Sequence, residues 1–426
     1  MSKEKLSSYD VLGAFFDEGS FTETDAYLKS DSGDAEAVTG FGTVDGVPVF
    51  AFAQNVDACG GAMSKAQAKK ITKLYDAALK VGALVVGFYD SVGGRLEQKY
   101  DLLSAYGDIL SKSAKLSGVV PQISVILGNC LGTSALIAAS ADYVIMEKDA
   151  KLSVNTDGKG ACSGCNTKNG VASFVTEGKD AAIDKAKVLL SYFPTNNLEA
   201  APAFESTPAY ENPEKLPKVI ADSESLLCVG SGCGEGVCTA FGRVDGNPVG
   251  FVVTHGGDIS AEAAQKIAKH VRFCDAFSLP LITLVDAKDF ESIKDASALV
   301  SAYADATTAK ISVINGTAVG AVYIALAGAT SGADIVYALP EAIVSPVAPK
   351  AAAFILDPSI AEAPFDQQDA LIDNYIKQNL TAAKAAEDGY IDDIAEGAAL
   401  RDKIIAALNM LSSKRVATLP KKHSTK

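Results

Sequence analysis

Apolar and polar positions along the chain change period several times, and each change marks an element. Residues 41–52 alternate around Asp45-Gly46, a dipeptide suited to a tight two-residue turn, which predicts a β-hairpin. The period then lengthens over residues 64–81, where Ala68, Ile71, Tyr75, Ala78 and Val81 share one helical stripe. Residues 83–89 form a continuous apolar run, as expected of a parallel strand covered on both faces. A helix carrying Leu103, Tyr106, Ile109 and Leu110, a strand over 122–127, a small-residue helix over 131–139 and a strand over 143–146 complete the series.

The same series starts again two hundred residues later. Phe41-Gly42-Thr43-Val44-Asp45-Gly46-Val47-Pro48-Val49 recurs as Phe241-Gly242-Arg243-Val244-Asp245-Gly246-Asn247-Pro248-Val249. Residues 67–71 match 265–267, the strand ending at Asp90 matches one ending at Asp286, and Ala141-Asp142-Tyr143-Val144 matches Ala333-Asp334-Ile335-Val336. Strands are predicted again at 281–285, 311–314 and 335–337. An ordered series of landmarks spanning a whole domain is the signature of a tandem duplication, and its period excludes short-repeat solenoids. Strands alternating with helices predict an α/β fold with a largely parallel sheet in each copy. Pro194, Pro202, Pro208, Pro213 and Pro217 discourage regular structure between the copies. The expected organisation is a helical segment over 1–35, a first domain over 36–200, a proline-rich linker over 201–225 and a second domain over 226–426.

A length of 426 residues suits two domains. No uncharged apolar run approaches the ~18 to 20 residues needed to cross a bilayer, and the opening MSKEKLSSYD lacks the pattern of a secretory signal, so the expected compartment is the cytoplasm. Eight cysteines in so long a chain are then expected to be free thiols. A formal charge of -14 opposes broad attraction to nucleic acid or anionic membrane. Any anionic ligand has to be held by local groups.

Such groups are available where glycine-rich turns leave apolar strands and open helices. Asp90-Ser91-Val92-Gly93-Gly94-Arg95 and Gly128-Asn129-Cys130-Leu131-Gly132-Thr133-Ser134 are two such turns. Glycine lets backbone approach a ligand closely, and unpaired N–H groups at a helix start attract negative charge. Side by side, two such turns can form an oxyanion hole; taken singly, each is as well explained by tight turning and close packing. The three histidines, His255, His270 and His423, flank no nucleophile motif, so a catalytic triad is not expected. Ser134 at a helix start suits a cap or core serine better than a protease nucleophile. No phosphate loop of the P-loop type and no complete dinucleotide fingerprint occurs. Cys162-x2-Cys165 has zinc-ligand spacing, but Cys228-x4-Cys233-x4-Cys238 is irregular and interleaved with glycine, so no metal is expected.

Several further segments carry a family resemblance. Ala37-Val38-Thr39-Gly40, Gly60-Gly61-Ala62-Met63-Ser64, the stretch from Leu189-Leu190-Ser191-Tyr192-Phe193 to Pro194-Thr195-Asn196-Asn197, Val271-Arg272-Phe273-Cys274-Asp275-Ala276-Phe277, Gly389-Tyr390-Ile391-Asp392-Asp393-Ile394 and Pro420-Lys421-Lys422-His423 together resemble the carboxyltransferase subunits of biotin-dependent acyl-CoA carboxylases and decarboxylases. The resemblance implies tandem crotonase-like domains. It also implies acyl-CoA as substrate of the first domain, with backbone donors at Gly93, Gly94, Gly132 and Thr133, and biotin on a separate carrier protein as cofactor of the second, with donors at Gly320 and Ala321. Arg95, Val319, Asp289 and Phe290 match flanking positions of these sites. Implied partners are a biotin carboxyl carrier protein and a biotin carboxylase or membrane decarboxylase subunit, within a homo-oligomer, hexamer or dimer, whose active sites form where domains of different subunits meet. The sequence departs from the family turns at Val92 and Asp289, where the family has glycine, and the loop over 155–170 is shorter than usual. A non-catalytic paralogue acting as an assembly subunit is the alternative implied by those changes.

Overall fold

The computed structural model describes residues 6–31, 33–211 and 215–417. Pro213 and the segment Pro420-Lys421-Lys422-His423 lie outside the described residues. The chain divides into two compact units, Met1–Pro202 and Ala203–Lys426.

The first unit opens with a helix, Ser8–Phe15, whose start is held by reciprocal hydrogen bonds between Ser7 and Asp10. Short strands follow at Thr22–Thr24, Lys29–Ser30 and Gly33–Asp34, so residues before Glu36 are only partly helical. The hairpin is formed by Ala37–Val44 and Val47–Gln54, antiparallel across Asp45-Gly46, both at positive φ. The Asp17 carboxylate accepts the N–H groups of Asp45 and Gly46, each at 2.9 Å, and fixes the turn. The helix Lys65–Val81 begins where Ser64 Oγ accepts the Gln67 N–H and stops at Gly82 in the left-handed conformation. Its predicted stripe is buried except for Val81, which falls on the last turn and is exposed. Parallel strands Leu84–Ser91, Gln122–Leu131 and Tyr143–Glu147 then add in sequence, and Phe174–Thr176 closes the far edge. Between them, the helix Tyr100–Leu116 buries Leu102, Ala105, Tyr106 and Ile109; Leu103, expected on that face, is exposed instead.

The second unit repeats this order. The hairpin Val237–Val244 and Asn247–Thr254 is followed by parallel strands Leu281–Phe290, Lys310–Val319, Ile335–Ala338 and Asp393–Ile394. Asp222 holds the turn Asp245-Gly246 as Asp17 holds the first, at 3.0 and 2.8 Å. The helix Ala261–Ala276 is capped by Ser260 as the earlier helix is by Ser64. Two units sharing strand order, turn anchors and helix caps establish the α/β duplication in three dimensions.

His270, on that second-unit helix, is buried against Phe241, with ring centroids 4.9 Å apart. Burial disfavours the imidazolium and lowers its pKa from 6.5 to about 4. Between those values the unfolded chain binds the extra proton, so stability is intact above pH 6.5 and is lost as pH falls toward 4. The shift corresponds to about 3 kcal/mol. His270→Gln should flatten this acid limb in urea titrations across that range; an unchanged slope would assign the acid sensitivity to other groups.

Candidate functional site

In the first unit, the neighbouring strands ending at Ser91 and Leu131 run parallel and bring both glycine-rich turns to one edge of the sheet, with Ser91 paired to Cys130. Asp90 ties the two together. Its backbone leads into Gly93-Gly94, while its carboxylate accepts the Asn129 N–H at 3.2 Å and meets the Lys179 ammonium at 3.4 Å. Gly128 makes this approach possible, because a Cβ there would overlap the carboxylate. An open cleft of about 500 Å³ lies over this point, lined by Leu127, Gly128, Asn129, Asp149, Lys179 and neighbours.

The turns meet a second time through Tyr106. Leu102 and the Tyr106 hydroxyl fill the space beside Gly94 that a side chain would need, and the same hydroxyl lies 3.4 Å from Ser134 Oγ. Burial raises the Tyr106 pKa, which keeps the hydroxyl neutral and able to donate. Ser134 is itself fully buried, and its own unit contains no histidine, so it packs rather than acts as a triad nucleophile.

Of the four expected backbone donors, two are already engaged. The Gly93 N–H donates to Ser91 Oγ at 3.1 Å, and the Gly132 N–H donates to the Ser153 carbonyl at 2.9 Å, where the strand Lys151–Ser153 pairs with Gln122–Leu131. In this arrangement the Gly93 amide is held within its own turn and the Gly132 amide by the neighbouring strand. Gly94 and Thr133 are left. The bridge from Met63 uses the Gly93 carbonyl and the Arg95 N–H, leaving the Gly94 N–H outside it. Thr133 opens the helix Thr133–Ala139, where an N–H has no intrahelical acceptor. The glycines at 93 and 132 serve instead through conformation, at φ of 125° and 70°.

Arg95 is held by its neighbours in this arrangement. Its side chain is buried and bonded to Glu36, Glu97 and the Ser30 hydroxyl, which staples the turn to the preceding loop. Glu36, fully buried, also accepts from Ser64 Oγ, so turn, loop and helix cap share one carboxylate. Val92 occupies the space beside Gly60, whose lack of a side chain accommodates it.

The second unit reproduces the clamp. The Asp286 carboxylate accepts the Thr317 N–H at 2.9 Å, and a Cβ on Gly316 would overlap it. Asp286 stands three residues before Asp289-Phe290, and Thr317 stands three before Gly320, as Asp90 and Asn129 stand before Gly93 and Gly132. Val319 ends the strand and pairs with Ser345; Gly320 and Ala321 open the short helix Gly320–Val322. Phe290 corresponds to Gly94, but its N–H is accepted by the Asp289 carboxylate at 2.8 Å. The departure from glycine thus places a carboxylate on the donor itself.

The cysteines correct one expectation. Cys162 and Cys165 are joined by a disulfide across the start of the helix Ser163–Lys168, because the two-residue spacing brings their Cα atoms to 5.2 Å. The other six are free. Among the described residues no group of three or more histidine, cysteine or acidic side chains is arranged to hold a metal ion, and no helix is long and apolar enough to cross a membrane.

A duplicated strand-and-helix scaffold with paired turns at the ends of neighbouring parallel strands is the architecture of the crotonase-like class. The carboxyl transferase domain family matches residues 2–425, and the chain belongs to that family. It is 32% identical to the methylmalonyl-CoA decarboxylase subunit alpha of Propionigenium modestum, covering 98% of this chain and 92% of the relative. It is 32% identical to the propionyl-CoA carboxylase carboxyltransferase subunit of Haloferax mediterranei, over 99% and 93%. The crystal structure of the transcarboxylase 12S hexamer with hydrolysed methylmalonyl-CoA bound superposes with a TM-score of 0.91 at 31% identity, covering 99% of this chain and 92% of that one.

If the Asp90 carboxylate fills the space that Gly128 leaves, Gly128→Ala should destabilise the chain by about 1 to 3 kcal/mol through overpacking. The double variant with Asp90→Ala should recover part of that loss. A strictly additive double-mutant cycle in chemical denaturation would show that the two positions do not interact.

Proposed function

We propose that the chain is the carboxyltransferase component of a biotin-dependent acyl-CoA carboxylase or decarboxylase, with the acyl-CoA thioester oxygen received by the Gly94 and Thr133 N–H groups. The observation that carries this is the placement of the two turns bearing these donors at adjacent parallel strand ends, linked by Asp90 and Tyr106. Negative charge grows on a thioester oxygen as the α-carbon becomes an enolate, and fixed N–H donors stabilise it without reorganising. Low histidine content is compatible with this chemistry, because the donors are main chain and need no titratable partner.

The second unit takes biotin, presented by a separate carrier protein, at the equivalent turn, where Ala321 at the start of a helix and Phe290 are the matching N–H groups. Their uncharged donor character fits a ureido oxygen. Bound biotin supplies the group that carries the carboxyl between substrates. Asp289 sits over the Phe290 N–H and has to swing away before that amide can donate elsewhere. The relatives support decarboxylation and carboxylation alike, since they include methylmalonyl-CoA decarboxylase and propionyl-CoA carboxylase subunits. Assembly as a homo-oligomer with carrier and carboxylase or decarboxylase subunits, in the cytoplasm, belongs to the same reading.

Purified protein supplied with free biotin should release carbon dioxide from malonyl-, methylmalonyl- or glutaconyl-CoA. Thr133→Pro is the sharper probe, because proline is accommodated at the first position of a helix and removes the N–H, and Thr133→Ala controls for the lost side chain. Loss of one such donor should lower kcat by about 100-fold or more with KM for acyl-CoA nearly unchanged; wild-type kcat in the proline variant would exclude Thr133 as a donor. Asp289→Gly should raise turnover with free biotin, and an unaltered rate would mean that the carboxylate leaves the amide without hindrance.

A further inference from the structure

Three cysteines, none of them used above, surround one hairpin neck in the second unit. Leu227–Val229 pairs antiparallel with Val237–Val244, and the glycine-rich loop over 230–236 connects them. Cys228 faces Ala240 in the register, which sets Cys238 diagonally across on the same face. The Cys238 thiol points at the Cys228 sulfur, 3.6 Å away. Cys228 is exposed, Cys238 half-buried, and both thiols are free.

The surroundings favour ionisation of one member of the pair. Lys266, on the helix Ala261–Ala276, donates its ammonium to the carbonyls of Cys233 and Val237 at 2.9 and 3.0 Å, which fixes a positive charge at the loop's base. The hydrogen bond from Cys238, with Lys266 and Lys215 nearby, lowers the Cys228 pKa to about 6, whereas burial raises that of Cys233. Cys130 and Cys274 are buried, and burial raises their pKa values too. Thiolate character and access together determine which cysteine reacts.

We propose that Cys228 and Cys238 are a peroxide-reactive dithiol, in which Cys228 is the attacking sulfur and Cys238 the resolving one. The Cys228 thiolate attacks one oxygen of hydrogen peroxide. The S–O bond forms as the O–O bond breaks, and the departing hydroxide takes a proton to become water. The Cys238 sulfur then attacks the sulfenic acid; the S–S bond forms, the S–O bond breaks, and the hydroxide released takes the Cys238 proton. One peroxide is reduced by two electrons to two waters, and two thiols become one disulfide. The product ties the hairpin neck at the base of the loop held by Lys266.

The test uses the full-length protein, reduced, desalted and exposed to hydrogen peroxide, in wild type and in a Cys233→Ser background. Cleavage after Glu235 separates Cys228 from Cys238 unless a disulfide joins them. The expected result is a Cys228–Cys238 cross-linked fragment two hydrogens lighter than its separate parts. In Cys238→Ser, a sulfenic-acid trap should label Cys228 about tenfold faster than exposed Cys59, which serves as the internal reference. Oxidation of Cys59 before Cys228, or sulfenate at Cys228 without a cross-link in the wild type, would overturn the proposal. Cys228→Ala and Cys238→Ala, compared by circular dichroism, separate loss of reactivity from loss of fold.

Discussion

Everything presented at the working edge of each unit depends on a carboxylate that leaves one strand and grips the backbone of the next. Asp90 accepts the Asn129 N–H and Asp286 accepts the Thr317 N–H, each against a glycine that leaves room for it. The geometry follows from the parallel sheet. Adjacent strands end side by side, and an ionised carboxylate forms stronger bonds to N–H groups than a neutral acceptor does. Once this bond is made, the two turns that follow have a fixed spacing, because each begins three residues beyond the clamp.

That spacing explains how a site can function without a catalytic side chain. Main-chain donors are rigid only if the rest of their loop is already bonded. Gly93 and Gly132 direct their own N–H groups inward, to Ser91 and Ser153, and so leave Gly94 and Thr133 in defined directions. Arg95 extends the same constraint backward through the buried Glu36 to the cap of the following helix. Removing Arg95 would leave an unpaired buried carboxylate, a state that folded chains strongly disfavour. In this arrangement its contacts fasten the turn to the loop that precedes it.

Much of this arrangement was legible in the sequence, and the remainder was hidden for identifiable reasons. The duplication, the strand order and the two turns follow from repeated landmarks and from apolar runs whose period is local. Which amide of a Gly-Gly pair faces outward is not local: it depends on Ser91, on the Met63 bridge and on a strand at 151–153 that only the fold brings near. The Asp90 clamp was hidden because Asp90 and Gly128 are distant in sequence, although the spacing shared with Asp286 and Gly316 was there to be compared. Leu103 was misplaced by one helical position, since Leu102 and Leu103 carry identical hydrophobic signals and only packing distinguishes them. Cysteines 162 and 165 were assigned by compartment, whereas their close spacing at a helix start lets the sulfurs meet.

The two units also show where a duplication can diverge without losing its fold. The hairpin anchors, helix caps and strand-end clamps are present in both units, and each satisfies backbone groups at a turn or element end. The positions that differ lie beyond the clamp: Gly93-Gly94 stand against Asp289-Phe290, and the buried Arg95 against Glu291. The arginine and its partner differ together, for Gly236 stands where the first unit has Glu36. Where the first unit has a buried ion pair, the second has a glycine-rich hairpin loop fastened by Lys266. The second turn therefore lacks the staple that holds the first, and its Asp289 carboxylate lies on the Phe290 amide, which corresponds to that of Gly94.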